Sequence, residues 1–325
     1  MSIAPPRRLH LFLALAAVYL IWGSTYLAIR FAIETLPPFA MAAVRFLVAG
    51  SILFAYSLAR GEKNPSRGAW GSALVVGILL LVGGNGGVVW AEQRIDSGIA
   101  ALLVTTMPFF LVLVTALLPG GRPPTARMLV GLLVGFAGVV VLLNPFAHGH
   151  LAVDPIGAAV VTLSAISWAT GSALAGRLPL PKSPPLSTGI QMLAGGAVLA
   201  LVSIATGEPS HFHRAEVSLR SILALAYLVV FGAVVAYTAF VWLLKHAPPA
   251  LVATYAYVNP LVAVLLGWAL AGEELSSRVL LAAGIIVAGV MIISRSGEAR
   301  AEAKSVPIEQ PLATPSPLAK GDVLP

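Results

Sequence analysis

The sequence lacks cysteine altogether, and only 10% of its 325 residues are charged. Without cysteine, the chain has no disulfide bond, no thiolate nucleophile and no thiolate metal ligand. A soluble domain carries roughly 25% charged residues, so the shortage of charge indicates that most of the surface faces something other than water. The sequence also lacks the alternation of polar and apolar residues that an outer-membrane barrel requires. The expected class is therefore a helical membrane protein.

In place of charge, the sequence has a series of long apolar runs. Hydrophobic residues make up 58% of the chain, and its mean hydropathy is +0.92. Each run is about 17 to 25 residues long, the length of helix that crosses a hydrocarbon core of roughly 30 Å. We therefore predict an all-α polytopic membrane protein with ten transmembrane helices. The predicted spans are about 9–29, 39–59, 70–91, 97–118, 127–144, 154–176, 186–206, 220–244, 250–271 and 278–295.

The Lys and Arg residues predict which ends of the spans face the cytoplasm. With ten spans of alternating direction, fourteen Lys and Arg residues fall on the side of the amino terminus and six on the other side. Cytoplasmic loops are the ones enriched in Lys and Arg, so both termini are predicted to be cytoplasmic, namely residues 1–8 and a disordered tail at 296–325. Because the net charge of +7 comes from these loops, it indicates topology and not a nucleic-acid partner.

The chain contains an internal duplication, with one offset of 146 residues and, further on, one of 152. The recurring residues are Trp22, Pro38, Leu47, Gly50, Gly61 and Glu62, repeated at Trp168, Pro184, Leu193, Gly196, Gly207 and Glu208, and then Trp90 and Pro108, repeated at Trp242 and Pro260. Arg45 is the exception, because Gln191 stands in its place. Each repeat, 9–148 and 149–295, holds five predicted helices, so the second enters the membrane in the opposite direction. Inverted repeats of this kind are typical of transporters that work by alternating access.

Polar and aromatic residues inside the spans are the candidate substrate-binding residues, because such groups are costly in a membrane unless they face a cavity or a partner. For the Ser and Thr hydroxyls, hydrogen bonding between helices is the alternative explanation. For Trp90, which lies near a span end, the alternative is an interfacial aromatic belt. The candidates are Trp22, Ser24, Thr25, Tyr26, Asn85, Trp90, Thr105, Thr106, Trp168, Ser172, Tyr237, Tyr255, Tyr257 and Asn259.

Two prolines and two charged residues are candidates for other roles. Pro108 and Pro260 lie near the middle of their spans, where proline removes a backbone hydrogen bond, so we predict hinges, with packing kinks as the alternative. Arg45 lies roughly 10 Å into the second span, and Glu92 ends the third span on the same side. We expect an Arg45–Glu92 ion pair or proton coupling by Glu92. The alternatives are that Arg45 reaches out to the interface and that Glu92 is solvated.

Nothing in the sequence predicts an enzyme, a metal site or a cofactor. The spans hold no Ser-His-Asp set, no metal-ligand motif and no paired carboxylates. The sequences His148-Gly149-His150 and His211-Phe212-His213 fall in loops, where solvated histidines are the expected interpretation. The fifth and tenth spans have almost no polar side chains, which is typical of a scaffold or a dimer face, so we expect a monomer or a homodimer.

Several motifs resemble those of the EamA family of the drug/metabolite transporter superfamily. The motifs are Tyr19-Leu20-Ile21-Trp22-Gly23-Ser24, Pro38 followed by Arg45-Phe46-Leu47-Val48-Ala49, Ser97-Gly98-Ile99-Ala100-Ala101-Leu102-Leu103 leading to Pro108, Asn259-Pro260 with Gly272-Glu273, and Gly284 to Gly289. The similarity covers about residues 9–295. It implies a multi-pass carrier of the bacterial inner membrane whose central cavity is formed by spans one, three, four, six, eight and nine. It also implies export of amino acids, related metabolites or drugs.

Together these observations predict a secondary transporter that moves a small organic solute outward across the lipid bilayer. The candidate cavity is rich in aromatic residues and poor in charge, which favours apolar or aromatic amino acids and similar compounds. Import or facilitated diffusion of such solutes is the alternative within transport. Outside transport, the alternative is a membrane scaffold or sensor, which has no need of a polar lining repeated in both halves.

Overall fold

The computed structural model describes residues 8–121, 123–143, 153–247 and 255–305, and all regular structure in these ranges is helical. Eight helices are long and apolar enough to cross a membrane, and two shorter apolar stretches follow at Val258–Ala271 and Ser277–Ile293. The all-α membrane class is therefore confirmed. The helices are α1 (Leu9–Ala32), α2 (Pro38–Ala59), α3 (Arg67–Ala91), α4 (Ser97–Leu117), α5 (Ala126–Leu143), α6 (Pro155–Ala175), α7 (Pro184–Ala205), α8 (219–246), α9 (Tyr255–Ala271) and α10 (Ser277–Ser305).

The helices begin and end where local chemistry favours it. Ser66 and Asp154 cap α3 and α6 by accepting hydrogen bonds from the backbone N–H groups of Ala69 and Gly157, at 3.2 and 2.6 Å, which satisfies donors that a helix start leaves open. Each of the ten predicted spans overlaps one of these helices. The first residues predicted for the ninth span, 250–254, lie outside the described residues. The last helix continues to Ser305, beyond its predicted end at residue 295.

Four helices depart from regular α geometry near the middle of the bundle. The segments Val18–Trp22 in α1, Ile78–Gly86 in α3 and Leu228–Val235 in α8 are π-helical, and such segments often occur at functional sites. Helix α4 is interrupted at Thr105 and Thr106, between Ser97–Val104 and Met107–Leu117. Pro108 lies in the first turn after this break, whereas Pro260 lies inside α9 without interrupting it.

The contacts among the helices mirror the sequence duplication. Helix α2 packs on α7, α4 on α9 and α5 on α10, and each of these pairs joins corresponding helices of the two repeats. Helix α1 packs on α8, and its counterpart α6 packs on α3, the counterpart of α8. This is the arrangement expected of two repeats around a pseudo-two-fold axis. The membrane face at which α1 and α3 end and α2 and α4 begin is here called the far side, and the opposite face the near side.

Candidate functional site

Trp22 lies at the centre of an aromatic cluster that joins three helices. Its ring lies 5.3 Å from that of Tyr255 in α9 and 5.1 Å from that of Phe240 in α8, centroid to centroid. Its indole Nε1 donates a hydrogen bond of 3.1 Å to the carbonyl oxygen of Gly232, in the π-helical segment of α8. Trp22 is therefore held by a polar contact to the middle of α8 and by apolar contacts to α8 and α9.

Gly232 also lies beside Arg45, so that α8 brings Trp22 and Arg45 to one place. A Cβ atom on Gly232 would lie 3.5 Å from Nη2 of Arg45 and 3.1 Å from Cγ2 of Thr25. The hydroxyl of Thr25 donates to the carbonyl oxygen of Trp22 at 2.6 Å. Because residue 232 has no side chain, the guanidinium group can approach the backbone of α8 next to the aromatic cluster.

Arg45 and Glu92 are both buried, and the protein leaves polar atoms of both without partners. The residues are 6% and 0% exposed, which rules out an Arg45 side chain at the interface and a solvated Glu92. Nε and Nη1 of Arg45 and both carboxylate oxygens of Glu92 have no hydrogen-bond partner. The predicted direct ion pair is thus not formed in this structure, although the two side chains are close enough to influence each other electrostatically.

Glu92 lies just past the end of α3, in surroundings that favour its protonated form. Burial raises the pKa of its carboxyl group well above the ordinary value, and the neighbouring Glu273 adds to this increase. Arg30 and Arg45 act in the opposite direction, but burial is the largest effect. Arg30 donates a hydrogen bond to the backbone carbonyl of Glu92 and so fixes the end of α3.

Two asparagines inside the spans also have unpartnered polar atoms. Oδ1 of Asn85, in the π-helical segment of α3, and Oδ1 of Asn259, in α9, are buried without a hydrogen-bond partner. The backbone of Asn259 lies against α1, because a Cβ atom on Gly23 would be 3.1 Å from its carbonyl oxygen. Both asparagines were predicted as cavity residues, and their unsatisfied amide oxygens are what such residues would present to a solute.

Trp168 in α6 makes the counterpart of the Trp22 contact in the other half. A Cβ atom on Gly84 of α3 would lie 2.7 Å from Cε3 of Trp168, and the neighbouring Ser167 donates to the carbonyl oxygen of Leu79 at 2.7 Å. Gly84 and Leu79 both belong to the π-helical segment of α3. Ser172 is half-buried one helical turn after Trp168. Each repeat therefore places a tryptophan against the π-helical segment of a neighbouring helix.

Several hydroxyls that were predicted to bind substrate are hydrogen-bonded to other groups of the protein. Thr105 and Thr106 donate to the carbonyl oxygens of Ala101 and Leu103, at 2.8 and 2.6 Å, so they stabilise the broken backbone of α4. Ser24 donates to the carbonyl oxygen of Ile21 at 2.9 Å, and its hydroxyl lies 2.6 Å from that of Tyr227 in α8. Only Ser24 agrees with the alternative explanation, hydrogen bonding between helices, because the bonds of Thr105 and Thr106 stay within α4.

The predicted tyrosines and Trp90 occupy different places. Tyr237 is bonded to the hydroxyl of Thr188 and donates to the carbonyl oxygen of Pro184 at 3.2 Å, so it ties α8 to the start of α7. Tyr26 and Trp90 both pack on the apolar cluster that includes Ala91 and Ala100. The guanidinium of Arg94 lies 5.1 Å from the centre of the Trp90 ring, as is common at a helix end. The side chain of Tyr257 lies outside the described residues.

Three glutamates that sequence reasoning did not place in the site join the two repeats. Glu208 accepts hydrogen bonds from the backbone N–H groups of Phe39 and Ala40, at 2.9 and 2.8 Å. Glu273 accepts from the N–H and hydroxyl of Ser97, at 2.8 and 2.6 Å, and from the N–H of Gly98 at 3.0 Å. Glu62 accepts from the hydroxyl of Ser183 at 2.6 Å. The repeated Gly-Glu pairs were the sequence signal, since a carboxylate suits a helix start.

An apolar groove of about 610 Å³ runs along α1 and α8, next to the aromatic cluster of Trp22. It is lined by His10, Leu13, Ala14, Val234, Val235, Thr238, Ala239 and Trp242. Its apolar character suits the acyl chains of lipids. Among the residues that the structure describes, no group of three or more His, Asp or Glu side chains could hold a metal ion.

Comparison with known proteins gives consistent matches along the chain. The model of the EamA-like transporter family matches residues 9–144 and 155–295. The protein YedA of Escherichia coli (strain K12), named as an inner membrane transporter, is 43% identical over 287 residues, which cover 88% of this chain and 91% of that protein. Protein PecM of Dickeya dadantii is 26% identical over 89% of this chain and 94% of its own length.

The fold is also found among solved structures. A crystal structure covers 90% of this chain and 99% of its own chain, with a TM-score of 0.59 and 24% sequence identity. At this identity the likeness shows the fold alone. The matching family is one of transporters and not of enzymes, and YedA is named as an inner membrane transporter. The resemblance expected from the sequence motifs is therefore confirmed, as is the location in the inner membrane.

Proposed function

The chain belongs to the EamA-like transporter family, and we propose that it is a secondary transporter that exports small organic solutes by alternating access. The proposal goes beyond the family in three respects, namely the direction of transport, the class of solute and the conformational cycle. The apolar or aromatic amino acids and related compounds are the proposed solutes. Import or facilitated diffusion of the same solutes is the competing possibility that the experiment below distinguishes.

One observation carries this proposal, and it is the set of buried polar groups that the protein leaves unsatisfied. Polar atoms of Arg45, Asn85, Glu92 and Asn259 have no hydrogen-bond partner. Each unsatisfied neutral group costs about 1–3 kcal/mol, and a charged group costs more. A membrane scaffold has no use for unsatisfied buried polar groups. In a transporter they contribute to binding, because a passing solute can supply the missing hydrogen-bond partners.

The aromatic cluster supports the proposed class of solute. Trp22, Phe240 and Tyr255 meet with centroid distances between 5.1 and 5.6 Å, next to Gly232 and the guanidinium of Arg45. Aromatic rings at such distances favour edge-on and tilted contacts with another ring. A solute with an apolar or aromatic side chain and a polar head would match this combination.

The packing of α4 and α9 supports alternating access. Both parts of α4, Ser97–Val104 and Met107–Leu117, pack on α6 and α10, whereas α9 packs mainly on the first part. The break at Thr105 and Thr106 separates these two parts. A rearrangement at the break could open the far side while the inverted counterpart closes the near side, which is how inverted repeats produce the two access states.

Transport in proteoliposomes tests the proposal. The purified chain is reconstituted, the vesicles are loaded with unlabelled amino acid, and uptake of labelled phenylalanine by counterflow is followed with and without a pH gradient. We expect counterflow with the chain and none with empty vesicles. A sidedness assay, with the protein's orientation fixed by protease access to its tail, separates export from import. If neither amino acids nor amphiphilic drugs move, the proposal is wrong.

A further inference from the structure

Arg45 is a buried cation, and two of its nitrogen atoms have no hydrogen-bond acceptor. It lies in α2 with 6% of its surface exposed, and Nε and Nη1 have no hydrogen-bond partner. An arginine stays charged in proteins and has five N–H donors to satisfy. Its guanidinium Cζ lies 5.0 Å from the ring of the adjacent Phe46, which gives a weak cation–π contact but no acceptor.

The nearby carboxylates of the chain are not available to Arg45 in this structure. Neither oxygen of Glu92 is bonded to any group, and burial favours the neutral form of Glu92 by raising its pKa. Glu273 already accepts hydrogen bonds from Ser97 and Gly98 at the start of α4. Glu208 accepts a hydrogen bond in the same way from the start of α2. None of these described carboxylates pairs with Arg45, so an anion from outside the chain would satisfy it.

The place of Arg45 links it to the aromatic cluster. Nη2 would lie 3.5 Å from a Cβ on Gly232, whose carbonyl oxygen accepts from Trp22. A solute whose charged head binds Arg45 would thus have its apolar part near Trp22 and Tyr255. The second repeat has no equivalent cation, because Gln191 stands in the matching position and its amide donates to Ser187 at 3.0 Å.

We propose that Arg45 is the binding site for a carboxylate group of the transported solute, whose apolar or aromatic part packs on Trp22 and Tyr255. This inference rests on the proposed function, which it narrows to solutes that carry a carboxylate. It distinguishes amino acids and aromatic acids, which can bind, from amines and neutral drugs of the same size. A carboxylate matches the planar donor arrangement of a guanidinium group better than other common anions of metabolism except phosphate.

Three matched ligands test the proposal on the unaltered full-length protein in detergent. Phenylalanine, 3-phenylpropionate and phenethylamine share the aromatic ring, and only the first two carry a carboxylate. Binding is measured by isothermal titration calorimetry. We expect both carboxylates to bind and phenethylamine to bind at least about tenfold more weakly, as for the loss of a charged hydrogen bond. Equal binding of phenethylamine would overturn the proposal.

Substitutions then assign the effect to Arg45. R45Q introduces the residue that the second repeat has, and we expect it to lose about tenfold or more in affinity for both carboxylates. R60Q, which changes an exposed arginine directly after α2, should bind as the unaltered protein does. Unchanged affinity in R45Q would overturn the proposal. The ligand comparison remains decisive even if R45Q does not fold.

The outcomes separate this proposal from the proposed function. If phenethylamine or a neutral drug moves as fast as phenylalanine, and R45Q is as active as the unaltered protein, the carboxylate site is wrong. The proposed transport function would still stand. No movement of any solute in proteoliposomes, together with no binding, would overturn both. Phosphate as a competitor checks the chemistry further, because inhibition by phosphate alone, without binding of either phenyl carboxylate, would also contradict the proposal.

Discussion

At the scale of single residues, buried polar side chains in this bundle differ in whether the protein supplies their partners. The hydroxyls of Thr105 and Thr106 are satisfied by carbonyl oxygens of their own helix. The polar atoms of Asn85 and Asn259 are not. Since a satisfied group gains little from a solute and an unsatisfied one gains a hydrogen bond, the second kind should dominate recognition.

Trp22 should contribute to transport through both its ring and its indole N–H. Trp22→Phe keeps a ring but loses the hydrogen bond to Gly232, so we expect a loss of about fivefold in the rate of transport, for about 1 kcal/mol. Trp22→Ala also loses the contacts with Tyr255 and should lose more than tenfold. Initial rates in proteoliposomes measure this. Trp268→Phe is the control, because Trp268 is 54% exposed; a control equally impaired would contradict the prediction.

Glu92 should make the binding of carboxylates depend on pH. Burial raises its pKa, so it is protonated at low pH and ionises as the pH rises through this elevated value. The charged groups that face it are Arg30 from α1, Arg45 from α2 and Glu273 after α9. Once ionised, Glu92 would compete with the solute for Arg45, so affinity for phenylalanine should fall as the pH rises.

Glu92→Gln tests this dependence, because glutamine stays neutral at every pH. We expect its affinity for phenylalanine, measured by calorimetry at a series of pH values, to remain nearly constant, while that of the unaltered protein decreases as the pH rises through the elevated pKa of Glu92. The change of affinity with pH is compared between the two proteins, and not the absolute affinity, since the substitution can also change packing. Parallel slopes in the two proteins would show that another group titrates.

At the scale of helices, hydropathy predicted the spans because the membrane selects for length and apolar character. It did not predict the π-helical segments of α1, α3 and α8, since one extra residue in a turn leaves hydropathy unchanged. The break in α4 was predictable in part, because Pro108 removes a backbone donor. The partner of Ser24, Tyr227, lies 203 residues away in the sequence, so no local pattern could indicate it.

Burial of charged groups was also beyond sequence reasoning. Glu92 follows the last residue of α3, a position that is usually solvated. It is 0% exposed because the ends of α1 and α9 and the interior of α2 surround it. The duplication, by contrast, was informative from the sequence alone, since it predicted which helices of the two halves would correspond. Their mutual packing, α2 on α7 and α5 on α10, follows the duplication.

The contact between α2 and α7 should require glycine at position 50. A Cβ atom there would lie 2.9 Å from the backbone nitrogen of Leu193 and 3.0 Å from the carbonyl oxygen of Gly189, and backbone atoms cannot move aside as a side chain can. We expect Gly50→Ala to lower the free energy of unfolding by about 1–3 kcal/mol. Thermal unfolding in detergent measures the change.

Gly284→Ala is the matched control, because nothing lies within 4 Å of a Cβ atom at that position in α10. Alanine there should be neutral or slightly stabilising, by up to about 1 kcal/mol, since it favours the helix. The prediction for Gly50 fails if both variants unfold at the same temperature, or if Gly50→Ala is the more stable of the two.

At the scale of the whole molecule, the described residues place different numbers of carboxylate contacts between the repeats at the two membrane faces. On the far side, Glu208 binds the start of α2 and Glu273 binds the start of α4. On the near side, Glu62 binds Ser183 next to the start of α7. The residue 152 positions before Glu273 is Gly121, which has no carboxylate, and the described residues of the near side form no counterpart of the Glu273 contact. The inverted repeat is therefore symmetric in packing and asymmetric in these contacts.

This asymmetry predicts that Glu273 controls opening of the far side. Glu273→Gln keeps the shape but replaces charged hydrogen bonds to Ser97 and Gly98 with neutral ones. Hydrogen bonds to charged groups are the stronger kind. A loss of one or two kcal/mol would raise the population of the open state by about 5- to 30-fold. The natural chain has no cysteine, so a single introduced thiol can report on this opening without further substitutions.

Ala101→Cys provides the thiol, because Ala101 is 1% exposed and lies one turn after Gly98, at which a Cβ atom would lie 3.1 Å from the Cα atom of Val264 in α9. The rate of labelling by a membrane-impermeant maleimide, measured in detergent, should rise about 5- to 30-fold when Glu273→Gln is added. Glu274→Gln, which changes the exposed neighbouring carboxylate, should leave the rate unchanged. Equal rates for the two variants would mean that the hydrogen bonds of Glu273 do not keep α4 and α9 together, and that closure rests on the apolar contacts of these helices.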